Sequence, residues 1–213
     1  SDMAENLTKR RALDNGRTDW ERRYREGDTG WDQGRPVPAV EEAAGFFGPG
    51  SRVLVPGCGH GHDAARLAEK GFRVEGWDVA PSAIGRARAW YGGAGVVFRE
   101  VDLLADLPER GGFDGLFEHT FLCAVGPEHY EAVARRYAEL LGPGGLLFAV
   151  LFTGLEEADP PPWRIDASRA EELFSRRFEI LGVDRPVDAF PHREGEETVW
   201  RLRRSARVPG DGR

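Results

Sequence analysis

The feature that most constrains this chain is a short apolar run that ends in three closely spaced glycines. Val53-Leu54-Val55 leads into Pro56-Gly57-Cys58-Gly59-His60-Gly61. A strand that runs into alternating glycines turns tightly, and the missing Cβ atoms let the backbone approach a ligand. The helix that follows presents free N–H groups at its start. A nucleotide site of this kind needs an acidic residue about 20 positions on, at the end of the next strand, where a carboxylate accepts hydrogen bonds from both ribose hydroxyls. Asp78 stands there, closing the run Phe72-Arg73-Val74-Glu75-Gly76-Trp77. Asp102, after the third expected strand, joins the set. Without such partners the glycines read as a plain β–α turn, and Asp102 alone reads as a turn carboxylate.

Spacing discriminates between nucleotides. A dinucleotide loop takes its third glycine at the sixth position, which here is His62; the third glycine is Gly61 instead. The pattern G-x-G-x-G suits S-adenosylmethionine, which has no pyrophosphate to lay on the helix.

The rest of the chain alternates in a regular way. After the glycine loop a helix is expected over Asp63 to Lys70, then the strand ending at Asp78, then a helix from Pro81 to about Trp90. Gly95 to Val101 and Phe113 to Glu118 read as strands three and four, Pro127 to Leu141 as a helix stopped by Gly142-Pro143-Gly144-Gly145, and Leu146 to Phe152 as an apolar, central strand five. A helix over Ala167 to Phe178 precedes a final antiparallel pair, Phe178 to Val183 and Thr198 to Arg204. Alternating strands and helices predict an α/β fold, a mainly parallel seven-stranded sheet with an antiparallel C-terminal strand and helices on both faces. The reading gives one domain over 19–204, preceded by a flexible arm at 1–18 and followed by a disordered tail at 205–213. Within the arm, Ser1-Asp2 ahead of Met3 looks like an expression scar.

Composition works by exclusion. Lysine occurs twice, as Lys9 and Lys70, and Lys70 is followed by Gly71, so there is no G-K-[ST] phosphate loop. The net charge of −7 weighs against nucleic acid as a partner. No apolar stretch is long enough to span a membrane. Cys58 and Cys123 do not make a disulfide framework, which points to a cytoplasmic protein with reduced thiols. The expected partner is a small molecule, and the expected state a monomer or weak dimer.

Several motifs together resemble the thiopurine S-methyltransferase family, including its plant halide/thiol methyltransferase branch. They are Trp20-x3-Tyr24-x6-Trp31, Gly30-Trp31-Asp32-x-Gly34-x-Pro36, the loop from Leu54 to Asp63, Glu118-His119-Thr120-Phe121-Leu122-Cys123-Ala124, Pro143-Gly144-Gly145, Pro160-Pro161-Pro162-Trp163 and Val187-Asp188-Ala189-Phe190. They run in order over roughly residues 18–204. The resemblance implies a Rossmann-like class I methyltransferase with S-adenosyl-L-methionine as cofactor and S-adenosyl-L-homocysteine as product. It implies cofactor contacts at Trp20, Tyr24, Trp31, Gly57, Gly59, Asp78, Asp102, Leu103 and His119, and substrate contacts at Trp31, His119 and Trp163. Tyr24 stands where relatives carry tryptophan, and His119 where they carry Arg or Tyr.

The chemistry fits these residue types. Transfer of an activated methyl needs alignment and exclusion of water. Aromatic rings favour a sulfonium through cation–π attraction, so the segment 19–47 reads as a lid over the site; as a bland alternative its rings are core anchors. A thiol reacts as thiolate, and His119 is the catalytic candidate, as base or as a cation holding an anionic acceptor. His60, His62 and Asp63 are expected to cap the helix rather than to hold a metal, and Cys58 and Cys123 to be small buried side chains. The lead function is a methyltransferase acting on a small soft nucleophile, a thiol above all. Transfer to O or N of a specialised metabolite, a nicotinamide-dependent oxidoreductase and a non-catalytic ligand-binding protein are the alternatives.

Overall fold

A computed structural model describes residues 17–154 and 160–206. Most of the expected arm and of the expected tail lies outside the described residues. The segment 19–47 contributes two short helices, α1 (Trp20–Glu26) and α2 (Val40–Phe46). Then follow β1 (Arg52–Pro56), α3 (His62–Glu69), β2 (Arg73–Asp78), α4 (Pro81–Tyr91), β3 (Val97–Glu100), β4 (Phe113–His119), α5 (Tyr130–Leu140), β5 (Leu141–Phe152), α6 (Ala167–Ser175), β6 (Phe178–Asp184) and β7 (Glu197–Arg204).

The seven strands form one sheet in the order β3-β2-β1-β4-β5-β7-β6. Strands β1 to β5 pair in parallel, and β7 runs antiparallel to both β5 and β6. The central strands are apolar on both sides because both faces are covered. In β1, Val53 and Val55 join the core on one face and Leu54 the core on the other; in β5, Phe148 and Val150 oppose Leu147, Ala149 and Leu151. Helices α2, α3 and α4 cover the Val53 face, and α5 and α6 cover the Leu54 face. Each fully buried Leu or Phe contributes about 1.5–3 kcal/mol, which is what forces the alternation.

Strand five differs from the expectation. Leu141 already pairs with Phe113, and pairing resumes at Leu146 opposite Gly115. Gly142-Pro143-Gly144-Gly145 is therefore a bulge inside β5, with Gly144 in the left-handed region (φ 71°). The expected helix at Pro127 starts as a 3-10 turn over Pro127–His129, and α5 proper begins at Tyr130.

Candidate active site

The strand order reverses at β1, which lies between β2 and β4. Loops leaving the ends of neighbouring strands diverge there and open a crevice, where open α/β sheets bind ligands. A cavity of about 410 Å³ occupies that position.

Pro56 and Gly57, at the start of the glycine loop, form part of its floor, while Gly59 does not line it. Gly57, Gly59 and Gly61 take φ of 57°, 53° and 88°, which L-residues rarely adopt. Space requires glycine as well. A Cβ on Gly57 would lie 2.5 Å from the Phe121 ring, and one on Gly59 2.9 Å from the Tyr24 hydroxyl. Asp78 is buried at the end of β2. Its Oδ2 accepts the Gly59 N–H and its Oδ1 the Ala80 N–H, both at 2.9 Å. Burial raises its pKa, and the two N–H donors work against that rise. Each carboxylate oxygen keeps a further lone pair for a hydroxyl.

The N-terminal segment supplies the opposite wall. Asp19 caps α1 by accepting the Arg22 N–H at 3.0 Å, and Gly27 ends the helix with φ 72°. Trp20, Tyr24 and Trp31 all line the cavity. Trp31 meets the Trp20 ring edge-on at 5.3 Å and the Tyr24 ring at 5.5 Å. Between the tryptophans lies a residue that sequence reasoning missed. The guanidinium of Arg23 sits 4.6 Å from the Trp31 ring centre and 5.1 Å from that of Trp20, and its Nε donates to Asp28 at 3.0 Å. Leu103 and Asp102 close one end of the cavity. Arg17 donates to both oxygens of Asp102, at 2.7 and 3.0 Å. Burial would raise the Asp102 pKa, but Arg17 and the Leu104 N–H outweigh it and hold the carboxyl below its usual range.

The loop after β4 forms the remaining side. It is braced from below by Glu118, which is buried and accepts the N–H groups of Phe121 and Leu122 and the hydroxyl of Tyr137. Thr120 has φ 63°, the one described non-glycine residue at positive φ, and lines the cavity. Strain of this kind concentrates where surroundings over-determine the backbone.

His119 is not on the cavity wall. It borders a smaller neighbouring cleft with Asp63, His60 and His62. Its Nδ1 lies 2.8 Å from Asp63 Oδ2, and its Nε2 3.2 Å from Arg193 Nη1. Arginine keeps its protons, so Nε2 accepts and the ring proton sits on Nδ1, donated to Asp63. Asp63 in turn accepts the Val37 N–H at 2.8 Å. The group that reaches the main cavity from this chain is Arg193, 5% exposed. Its Nη2 donates to the Trp31 carbonyl at 3.0 Å, its Nη1 faces Glu197 Oε1 at 3.5 Å, and it lies 5.2 Å from the ring centres of Phe152 and Phe190. Sequence reasoning missed Arg193 because it sits in a 3-10 turn before β7, far along the chain from every site motif.

Other expectations move. Trp163 is half-buried, with its N–H on the Cys123 carbonyl at 2.8 Å, while Pro161 and Pro162 are the residues of that segment on the cavity wall. No side chain of His60, His62 or Asp63 caps α3; its N-cap is Gly61, in the left-handed region. Both thiols are pushed up by burial, which argues against either as a nucleophile.

A sheet of this order with one reversed strand, and a glycine loop and terminal carboxylate under a cavity at the switch point, define a class I S-adenosylmethionine-dependent methyltransferase. The solved 1,6-didemethyltoxoflavin-N1-methyltransferase of Burkholderia thailandensis, with S-adenosylhomocysteine bound, shares the fold at a TM-score of 0.67 and 22% identity, over 96% of this chain and 89% of that one. The chain belongs to the thiopurine S-methyltransferase family, whose profile matches residues 15–93 and 95–208. It is 34% identical to thiocyanate methyltransferase 1 of Arabidopsis thaliana over 87% of its own length and 84% of that protein's. It is 31% identical to probable thiol methyltransferase 2 of the same plant, over 88% and 85%.

Proposed function

We propose that the protein moves the methyl group of S-adenosylmethionine to a small soft nucleophile, a thiol or a related sulfur anion. One observation carries the acceptor half of this reading: a buried arginine set among phenylalanine rings on the cavity wall. A cation in an apolar wall attracts a small polarizable anion and stabilises a thiolate over its thiol. The relatives named for thiocyanate and thiol substrates support the same class.

The residues present fit the donor. Asp78 has acceptor capacity left for both ribose hydroxyls, Gly57 leaves room for close backbone approach, and Leu103 with Asp102 bounds the end left for the base. When bound, S-adenosylmethionine supplies a methyl carbon activated by its sulfonium. Trp20, Tyr24 and Trp31 wall the cavity that would hold this cation, whose attraction is to ring faces, and they exclude water from the reacting centre. Arg193 holds the acceptor. His119 acts through it: fixed by Asp63, its Nε2 orients the guanidinium, so His119 is a positioning residue rather than the base.

An acceptor panel tests this reading. Thiocyanate, hydrosulfide and thiophenol are expected to give S-adenosylhomocysteine, and phenols and amines of matched size are not. Product formed from phenols or amines alone would overturn the acceptor assignment.

A further inference from the structure

The small cleft beside the glycine loop, about 60 Å³, holds a side-chain cluster that the reaction does not use. His60 comes from the loop, His62 opens α3, and Asp32 comes from the N-terminal segment. One ligand atom of each lies within 4.8 Å of those of the other two. Asp32 Oδ2 contacts His60 Nδ1, and Asp32 Oδ1 lies 3.0 Å from His62 Nε2. All three side chains are close to 85% buried, at 14%, 15% and 12% exposed.

We propose that Asp32, His60 and His62 form a binding site for a borderline divalent cation of the Zn2+ type. Two imidazole nitrogens and one carboxylate oxygen are a donor set that such ions take, leaving a fourth position for water. The ring orientations fit. Each imidazole turns one nitrogen to the carboxylate. The second nitrogen of His62, Nδ1, is held by the Tyr91 hydroxyl at 2.6 Å, as a ligating histidine is usually fixed through its other nitrogen. Asp32 is oriented by the Gly34 N–H at 2.7 Å, and Trp90 stacks on His62 with ring centres 5.6 Å apart.

The topology gives the ion a task. Asp32 adjoins Trp31, which frames the main cavity, while His60 belongs to the glycine loop and His62 opens α3. A bound cation therefore fastens the N-terminal segment to the glycine loop, whatever acceptor the enzyme uses. Removing the ion would leave the pair of hydrogen bonds to Asp32 as a weaker fastening.

The test uses the full chain after chelator treatment, titrated with ZnCl2 by calorimetry. One equivalent is expected to bind, with affinity weaker by roughly tenfold or more in His60→Ala and in Asp32→Asn. Ring 15N resonances of the unmutated protein provide a readout that needs no variant: His60 Nδ1 and His62 Nε2 are expected to shift on Zn2+ addition, and His119, His129 and His192 are not. No saturable uptake, uptake unchanged by both substitutions, or ring shifts confined to the other histidines would each overturn the assignment and leave a hydrogen-bonded latch.

Discussion

Asp78 and Arg193 stand for two kinds of residue, one legible in sequence and one not. The distance of Asp78 from the glycine loop and the strand it ends are both local signals. On the proposed ribose contact, Asp78→Ala would remove two hydrogen bonds to a charged acceptor, each about 1.5–3 kcal/mol. Affinity for S-adenosylhomocysteine should fall by about a hundredfold or more by calorimetry; unchanged affinity would put the ribose elsewhere. Arg193 carries no local signal, since only the return of the chain through β7 brings it beside His119 and Trp31. His119 itself was legible as an unusual residue at a family position, but not its direction: a ring on the end of β4 points to either side of the loop, and Asp63 draws it away from the cavity. His119→Ala should lower turnover and raise the acceptor KM while the donor Kd changes little. Equal losses in donor binding and turnover would place His119 on the donor instead.

At the scale of elements, the N-terminal segment is the informative case. Helical spacing put Trp20 and Tyr24 on one face, and the structure brings both to the cavity. Arg23 between them carries no signal in the sequence, because charged residues on a short surface helix are normally solvated. Helix α1 is fastened to α4 through Glu21, which accepts the Ser82 N–H at 2.8 Å and its hydroxyl at 2.6 Å. A seven-residue helix is not stable alone, so its order depends on such contacts. Amide hydrogen exchange over 19–34 should slow on addition of S-adenosylhomocysteine, with β5 unaffected; equal protection with and without ligand would mean the segment is a fixed wall. Strand five shows the opposite limit of sequence reading. Gly-Pro-Gly-Gly signals a break in any isolated segment, and only pairing with Phe113 on β4 keeps Leu141 in the sheet.

For the whole molecule, the strand pattern alone predicted the sheet, because buried parallel strands must be apolar on both faces and the helices between them amphipathic. The electrostatic clamp across the sheet was not legible, since its members are far apart in sequence. Arg52 joins Glu75 and Glu109 across β1, β2 and the loop before β4. Burial would raise the Glu75 pKa, but Arg52 and the Trp77 N–H outweigh it and hold the carboxyl below its usual range. A carboxyl with a depressed folded-state pKa contributes stability above its unfolded value, about 4.3. That contribution is lost as pH falls through the folded value. The urea midpoint of the wild type should therefore drop more steeply below about pH 4.3 than that of Glu75→Gln; parallel acid limbs would show that this clamp contributes nothing.

On the proposed function, this cavity delivers a methyl group to sulfur. This is tested most directly by an acceptor that carries both candidate atoms, 4-mercaptophenol, incubated with S-adenosylmethionine bearing a deuterated methyl group, with the product's labelled position read by tandem mass spectrometry. The label is expected on sulfur, with yield falling sharply in Arg193→Lys, which keeps the charge but loses the guanidinium fork. Label on the phenol oxygen, or no labelled product from the folded wild-type protein, would contradict it.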